Sequence, residues 1–183
     1  PLLKRLAEWA RAEGLPLMVH AAESPEEVAF LARGEGPLRE VYGRFAKTPW
    51  TPPGTTPVRH LHALGVLGPT TLLVHGVQVD EEEVGLLAET GTKVVLCPRS
   101  NANLEVGEAP LALYAKHGVE LALGTDSRGS SPDLDVKNEA RFLWGRAEPR
   151  LLVRALPRGG YRALGLPTPR LTRGTPLSLV HFL

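Results

Sequence analysis

Three short stretches decide the fold of this chain: VHAAE (19–23), LVHG (73–76) and LGTDS (123–127). Each is an apolar run that ends in a residue able to bind a metal or move a proton. Each is followed by a break and then by a helix-like segment. In a (β/α) barrel the catalytic groups lie at strand ends that present residues such as His or Asp. The three stretches therefore predict one metal-centred active site at the ends of parallel strands.

The rest of the sequence repeats a strand–helix alternation about four times, which is typical of a parallel α/β sheet. A full (β/α)8 barrel takes about 250 residues, so four strands correspond to half of one. The tail 171–183 ends in an alternating pattern and predicts a strand of a separate small sheet. Buried strands are predicted at 16–20, 71–75, 92–96 and 119–123.

Composition excludes several classes of protein. The 183 residues carry a net charge of +1, so no charge-based argument supports binding to nucleic acid or to a membrane. One cysteine rules out an internal disulfide framework. No apolar stretch approaches the roughly 18 residues of a transmembrane helix. We therefore expect a cytoplasmic protein.

Two details of the sequence concern its source. Ile is absent while Leu, Arg, Pro and Gly are abundant, a pattern compatible with a thermophile and equally with GC-rich coding. The chain begins at Pro1 inside a helical pattern, so we expect a fragment or a processed product.

His20 and Glu23 form the first candidate pair. Imidazole suits zinc or iron, and a carboxylate three residues later suits proton transfer between metal-activated water and a substrate. The alternative is that Glu23 only stabilises the helix that starts at Ser24. The sequence leaves both interpretations open.

His75 and Asp126 occupy matching positions at later strand ends. A lone His is more often structural than catalytic, and His75 gains weight because it repeats the placement of His20. A carboxylate at the end of a buried strand is costly unless it is paired or bound to a metal, so Asp126 is a candidate ligand. The alternative for Asp126 is a cap of a helix or turn.

Other polar groups are candidates for substrate binding or are set aside. Arg99, Ser100 and Asn101 lie in a predicted loop after the third strand and are substrate-binding groups by type, although Ser and Asn also favour turns. Trp50 lies in the long segment 34–57, which is of the kind that lines a pocket. The pair HLH (60–62) lies in a helix-like segment, where residues two apart point in different directions, so we do not expect it to bind a metal.

Taken together, these motifs resemble the C-terminal part of an amidohydrolase-superfamily protein. The nearest branch contains the chlorohydrolases and the cytosine, guanine and adenosine-type deaminases. The resemblance covers most of 15–140. It is carried by HAAE (20–23), TP (56–57), VHGV (74–77), CPRSN (97–101) and GTDS (124–127).

The resemblance implies a fold and a set of roles. The chain corresponds to about strands 5–8 of a TIM barrel over 1–165, and 166–183 returns toward a small β-sandwich domain. His20 and Asp126 match metal ligands, and Asp126 also takes a proton from the hydrolytic water. Glu23 matches a proton shuttle, and His75 matches a residue that polarises water or holds substrate. The metal would be Zn²⁺ or Fe²⁺, and the reaction a hydrolytic deamination of a purine-like or related small heterocycle.

The sequence also departs from the family pattern. The family's first-strand His-x-His pair is absent, and HLH (60–62) is out of order and predicted to be helical. An incomplete barrel exposes a strand edge, which usually pairs with another chain or segment. We therefore expect a homo-oligomer or pairing with an N-terminal segment. Two alternatives remain open: a catalytically inert or incomplete fragment, and a chlorohydrolase or amidase of the same superfamily.

Overall fold

A four-stranded parallel sheet forms the centre of the computed structural model, which describes residues 2–46 and 49–168. All neighbouring strands are parallel, and they lie side by side in chain order. The predicted parallel α/β sheet is therefore confirmed, and each strand lies within the stretch expected for it or within one residue of it. The strands are β1 (Leu17–Ala21), β2 (Thr71–His75), β3 (Lys93–Leu96) and β4 (Leu121–Leu123).

Helices connect the strands of the described part of the chain and cover the sheet. Before β1 lies α1 (Leu2–Ala12), and between β1 and β2 lie α2 (Pro25–Arg33), α3 (Pro37–Phe45) and α4 (Pro57–Ala63). The link from β2 to β3 is α5 (Glu81–Thr90), and the link from β3 to β4 contains α6 (Pro98–Asn103) and α7 (Leu111–His117). After β4 come α8 (Val136–Phe142), α9 (Pro149–Val153), a π-helical segment (Arg154–Gly159) and α10 (Gly160–Ala163).

Helix α2, which follows β1, begins at residues that favour a helix start. The Ser24 side chain accepts a hydrogen bond from the backbone N–H of Glu27, and Pro25 occupies the first helical position. At the other end, Gly34 adopts a left-handed conformation with φ 68° and closes α2. These caps fix the short turn between β1 and α2, in which Glu23 lies.

One local prediction is wrong. The segment after β3 was expected to be a loop, but Pro98–Asn103 forms the short helix α6. Pro98 occupies its first turn, where a missing N–H removes no hydrogen bond. In a helix the side chains of Arg99, Ser100 and Asn101 point in different, fixed directions. In a loop all three side chains could face the same ligand. The predicted helical placement of His60 and His62 is confirmed, since both lie in α4.

The sheet separates two apolar cores. Leu73 and Val94 face the helices and pack with buried residues such as Leu87. On the opposite face, Leu72 and Val74 belong to a smaller cluster of buried residues. All five residues of β2 are buried, as expected for a central parallel strand covered on both sides. Because β2 is rigidly enclosed, the residue at its end, His75, has a fixed position.

The β1 side of the sheet is more exposed than its centre. Within the described residues β1 has a strand neighbour on one side only, and its Met18 is 53% exposed. In α1, Leu2, Leu6 and Trp9 are also exposed and follow one helical stripe. No helix in the described part of the chain has the length and apolar character needed to cross a bilayer. The predicted strand in 171–183, and with it the small β-domain, lies outside the described residues.

Candidate metal centre

Three of the predicted site residues converge at the carboxyl ends of the strands. His20 belongs to β1, His75 ends β2, and Asp126 lies three residues after β4. Ligand atoms from these three side chains all lie within 4.8 Å of one another. The sheet order explains this convergence, because parallel strands bring their carboxyl ends to one edge. The cluster does not include His60 or His62.

The backbone at this edge adopts an uncommon conformation. Ala22, His75 and Asp126 have positive φ angles of 53°, 75° and 59° although none is a glycine. A left-handed conformation costs an L-residue roughly 1–2 kcal/mol, and such positions cluster at functional sites. The Ala22 carbonyl accepts hydrogen bonds from the N–H groups of Val77 and Gln78, each at 2.8 Å. These bonds join the turns after β1 and β2 and hold the strained backbone in place.

The imidazole of His75 is fully buried and has a partner on each side. Its Nδ1 lies 2.9 Å from Oδ1 of Asn101. Its Nε2 lies 3.1 Å from Nδ1 of His20, and the two rings meet edge to face. Because an amide oxygen only accepts hydrogen bonds, the contact with Asn101 is a hydrogen bond when the His75 proton is on Nδ1. In that tautomer the lone pair of Nε2 faces the cluster.

Glu23 lies beside the same ring. Its Oε1 is 3.6 Å from Nε2 of His75, and its side chain is 28% exposed. Helix α2 has its own first-turn acids, Glu26 and Glu27. Glu27 additionally accepts a hydrogen bond from the backbone N–H of Glu23 at 2.8 Å. The carboxylate of Glu23 therefore lies beside the His75 ring, while the first turn of α2 contains two acids of its own.

Asp126 is held by two hydroxyl groups. Ser100 and Ser130 both donate hydrogen bonds to its Oδ2, at 2.7 and 2.8 Å. Partial burial raises the pKa of the Asp126 carboxyl, but the two hydroxyl hydrogen bonds, the nearby His75 and a hydrogen bond from the Ser127 backbone together lower it more, so the pKa lies below its usual value. Both hydroxyl hydrogen bonds reach the same oxygen, Oδ2 of Asp126.

Three polar side chains of helix α6 form hydrogen bonds with other side chains of the protein. Ser100 bonds Asp126, and Asn101 bonds His75. The guanidinium of Arg99 makes two hydrogen bonds to Asp133, at 2.9 and 2.8 Å, and is only 14% exposed. Their predicted roles as substrate-binding groups stay predictions.

Trp50 lies in an aromatic cluster with helices α2 and α3. Its ring stacks on Phe30 with centroids 4.2 Å apart and meets Tyr42 at 5.4 Å. Within the described residues no aromatic contact or hydrogen bond links Trp50 to the metal-site side chains. Its predicted contact with substrate stays a prediction.

Two features of the site were not predicted. Ser130 was not singled out, and its only signal is a serine four residues after Asp126 in a Gly- and Ser-rich turn. The pairing of Asn101 with His75 had no local signal.

Cys97 is buried, and burial raises the pKa of its thiol to about 12. A protonated, enclosed thiol is a poor nucleophile.

The donor set fits a transition metal. A zinc ion with ligands at 2.0–2.1 Å in tetrahedral geometry holds two ligand nitrogens roughly 3.3 Å apart, and Nδ1 of His20 lies 3.1 Å from Nε2 of His75. Two imidazoles with one carboxylate are a frequent catalytic zinc set, since three protein ligands leave one position open. Imidazole suits iron as well, so the donors alone do not separate Zn²⁺ from Fe²⁺.

Comparison with known proteins gives a consistent family match. The model of the amidohydrolase family matches residues 1–182. An aminodeoxyfutalosine deaminase of Deinococcus radiodurans is 42% identical over 189 residues, covering 94% of this chain and 44% of that protein. A 5-methylthioadenosine/S-adenosylhomocysteine deaminase of Syntrophobacter fumaroxidans is 34% identical over 175 residues, covering 90% of this chain and 36% of that protein. The chain thus spans less than half the length of either relative.

Solved structures agree with the observed fold. An adenosine deaminase from Xanthomonas campestris with bound zinc superposes with a TM-score of 0.71 at 29% identity, covering 89% of this chain and 35% of that one. An atrazine chlorohydrolase from Arthrobacter aurescens, complexed with zinc, gives a TM-score of 0.72 at 22% identity, covering 91% and 35%. The second likeness, at this identity, concerns the fold alone.

Proposed function

Because this chain belongs to the amidohydrolase family, we propose that it forms the part of a hydrolytic deaminase that binds the metal and moves the proton. The substrate is a small purine-like heterocycle. The observation that carries the proposal is the position of Glu23, whose carboxylate lies 3.6 Å from His75 at the edge of the three-residue cluster.

Each side chain of the cluster has a proposed role that follows from its chemistry. His20 and Asp126 are the proposed ligands, and Nε2 of His75 either completes the donor set or accepts a hydrogen bond from the attacking water. A bound Zn²⁺ or Fe²⁺ ion would supply water activated for hydrolysis near neutral pH. The lowered pKa of Asp126 keeps its side chain in the carboxylate form, which can bind a cation and has lone pairs available for a proton of the attacking water. Glu23 is partly exposed and can carry that proton to a leaving amine.

The relatives favour deamination over the other reactions of the superfamily. Both curated relatives described above are deaminases whose names specify adenine-type compounds or aminodeoxyfutalosine. A chloride leaving group needs no proton, whereas an amine does, so the placement of Glu23 favours the amine. We therefore propose a 6-amino heterocycle of the nucleoside type as the substrate class.

The exposed flank of the sheet indicates how the site is completed. Among the described residues strand β1 is paired on one side only, and α1, which precedes it in the chain, exposes Leu2, Leu6 and Trp9. Unpaired edges and contiguous apolar stripes are usually covered. We propose that β1–β4 correspond to barrel strands 5–8 and that further strands, from another segment or another copy, pair with β1 and add ligands.

An ammonia-release assay tests the proposal. The chain is assayed alone and co-produced with the part of the Deinococcus relative outside the match, using 5-methylthioadenosine, S-adenosylhomocysteine and adenosine. Glu23→Gln keeps the size of the side chain but cannot shuttle a proton. We expect turnover to fall about 10²–10⁴-fold, the usual contribution of a general acid–base group.

The matched control is Glu26→Gln, an exposed glutamate in the first turn of α2, which should leave turnover unchanged. Equal turnover of wild type and Glu23→Gln would exclude the proposed proton shuttle. Chloride release from atrazine without ammonia release would identify a chlorohydrolase instead. No turnover in either form, with both proteins folded, would favour the inert alternative.

A further inference from the structure

A buried amide contacts the site on the side of His75 away from the ligand cluster. Asn101 lies in α6 and is 2% exposed. Its Oδ1 is 2.9 Å from Nδ1 of His75, while the opposite ring nitrogen faces His20 and Glu23. The same imidazole therefore connects a side chain outside the cluster with the atoms of the reaction.

The backbone of Asn101 is fixed from several directions. Its N–H donates to the carbonyl of Cys97 at 3.0 Å, and its carbonyl accepts from Val106 N–H at 3.1 Å. Two residues earlier in the same helix, Arg99 donates its backbone N–H to the buried carboxylate of Glu139 at 3.0 Å. A short helix held in this way presents the Asn101 amide at one place and in one orientation.

We propose that Asn101 is a positioning residue that fixes the proton of His75 on Nδ1. The oxygen of the amide accepts that proton in a hydrogen bond, so Nε2 carries a lone pair toward the site. The inference rests on the proposed function, in which Nε2 must bind a cation or accept a hydrogen bond. With the proton on Nε2, His75 could do neither.

Burial makes the tautomer of His75 depend on this single partner. His75 is fully buried, so water cannot satisfy Nδ1 if the amide oxygen is removed. His20 is exposed and can reverse its own tautomer, because solvent satisfies either of its nitrogens. When Asn101 no longer accepts, the proton of His75 therefore moves to Nε2 and bonds to His20 Nδ1 at the 3.1 Å contact.

The test is the tautomer of His75 in the full 183-residue chain, freed of metal and labelled with ¹⁵N. Long-range ¹H–¹⁵N correlation spectra distinguish the two neutral tautomers from each other and from the doubly protonated ring. The signals of His75 are assigned by their loss in His75→Gln. We expect the Nδ1–H pattern in the wild type.

Three variants separate positioning from packing. Asn101→Leu keeps the volume and removes the acceptor, so the Nδ1–H pattern should be lost. Asn101→Asp keeps an acceptor oxygen and should retain it. Asn103→Leu makes the same substitution at an exposed position of the same helix and should change nothing.

An Nε2–H pattern in the wild type would overturn the inference, since the amide would then be turned with its NH₂ toward Nδ1. An unchanged pattern in a folded Asn101→Leu would overturn it as well. The proposed function fails separately: an Nδ1–H wild type that binds no metal and releases no ammonia would support the positioning role while removing the enzymatic one.

Discussion

Replacing Tyr114 with Phe tests how the strand-end turn at His75 is held. Tyr114 lies in α7, is fully buried, and donates its hydroxyl proton to the carbonyl of Gly76 at 2.5 Å. Burial raises the pKa of Tyr114, so the hydroxyl remains a donor through the neutral range. Gly76 directly follows His75, whose φ is 75°. The hydrogen bond thus fastens the turn that aims the His75 ring.

The size of the effect follows from the geometry. Phe fills the same ring volume, so no cavity forms, and among the described residues the Gly76 carbonyl has no second donor. Leaving a buried acceptor without its partner costs about 1–3 kcal/mol. With a urea dependence of about 2 kcal/mol/M, a loss of about 2 kcal/mol moves the unfolding midpoint down by about 1 M.

Urea unfolding followed by circular dichroism measures this shift. The matched control is Tyr42→Phe, which removes the hydroxyl of a half-buried tyrosine that makes no hydrogen bond to the described residues. Its midpoint should stay close to that of the wild type. A Tyr114→Phe midpoint equal to that of the control would show that the Gly76 contact does not hold the turn.

Two further predictions concern charged groups. Replacing Ser100 and Ser130 together by Ala removes both hydroxyl donors to Asp126. Losing hydrogen bonds to a metal ligand usually weakens metal affinity by about 10–100-fold, so Zn²⁺ titration against a chelator should show weaker binding by the double variant. Unchanged Zn²⁺ affinity would exclude a role of the two hydroxyl groups in metal binding. Hydrogen bonding to Arg99 holds the pKa of Asp133 well below its usual range. The ionised Asp133 therefore stabilises the folded state fully above its unfolded-state pKa, and this stabilisation is lost as the pH falls from there through its folded-state pKa. Urea midpoints measured from about pH 5 down to about pH 2.5, a range that spans the ordinary Asp pKa, should fall more steeply for the wild type than for Asp133→Asn, and parallel curves would contradict this.

The residues of the site were predictable because they follow a local rule. A buried apolar run marks a parallel strand, and the residue at its end faces the common carboxyl edge. His20, His75 and Asp126 each end such a run, and the structure brings them together. Glu23 follows from the same rule, since it lies in the turn after β1.

The partners of those residues were not predictable from local sequence. Ser100 meets Asp126, and Asn101 meets His75, each across 26 positions of the chain. Such contacts depend on how helix α6 packs against the sheet, and no periodicity encodes that. The positive φ angles of His75 and Asp126 were missed for a related reason: surrounding hydrogen bonds impose them, whereas the residue types do not favour them. Tertiary packing, and not propensity, completes the site.

The metal content of the purified chain tests the central claim most directly. Elemental analysis is made on the wild type and on Asp126→Asn, with circular dichroism to confirm that both are folded. We expect close to one zinc or iron ion per wild-type chain and a marked loss in the variant, because Asn offers no charge to the cation. A folded wild type without metal, or a variant that retains it in full, would contradict the assignment of His20, His75 and Asp126 as a metal centre.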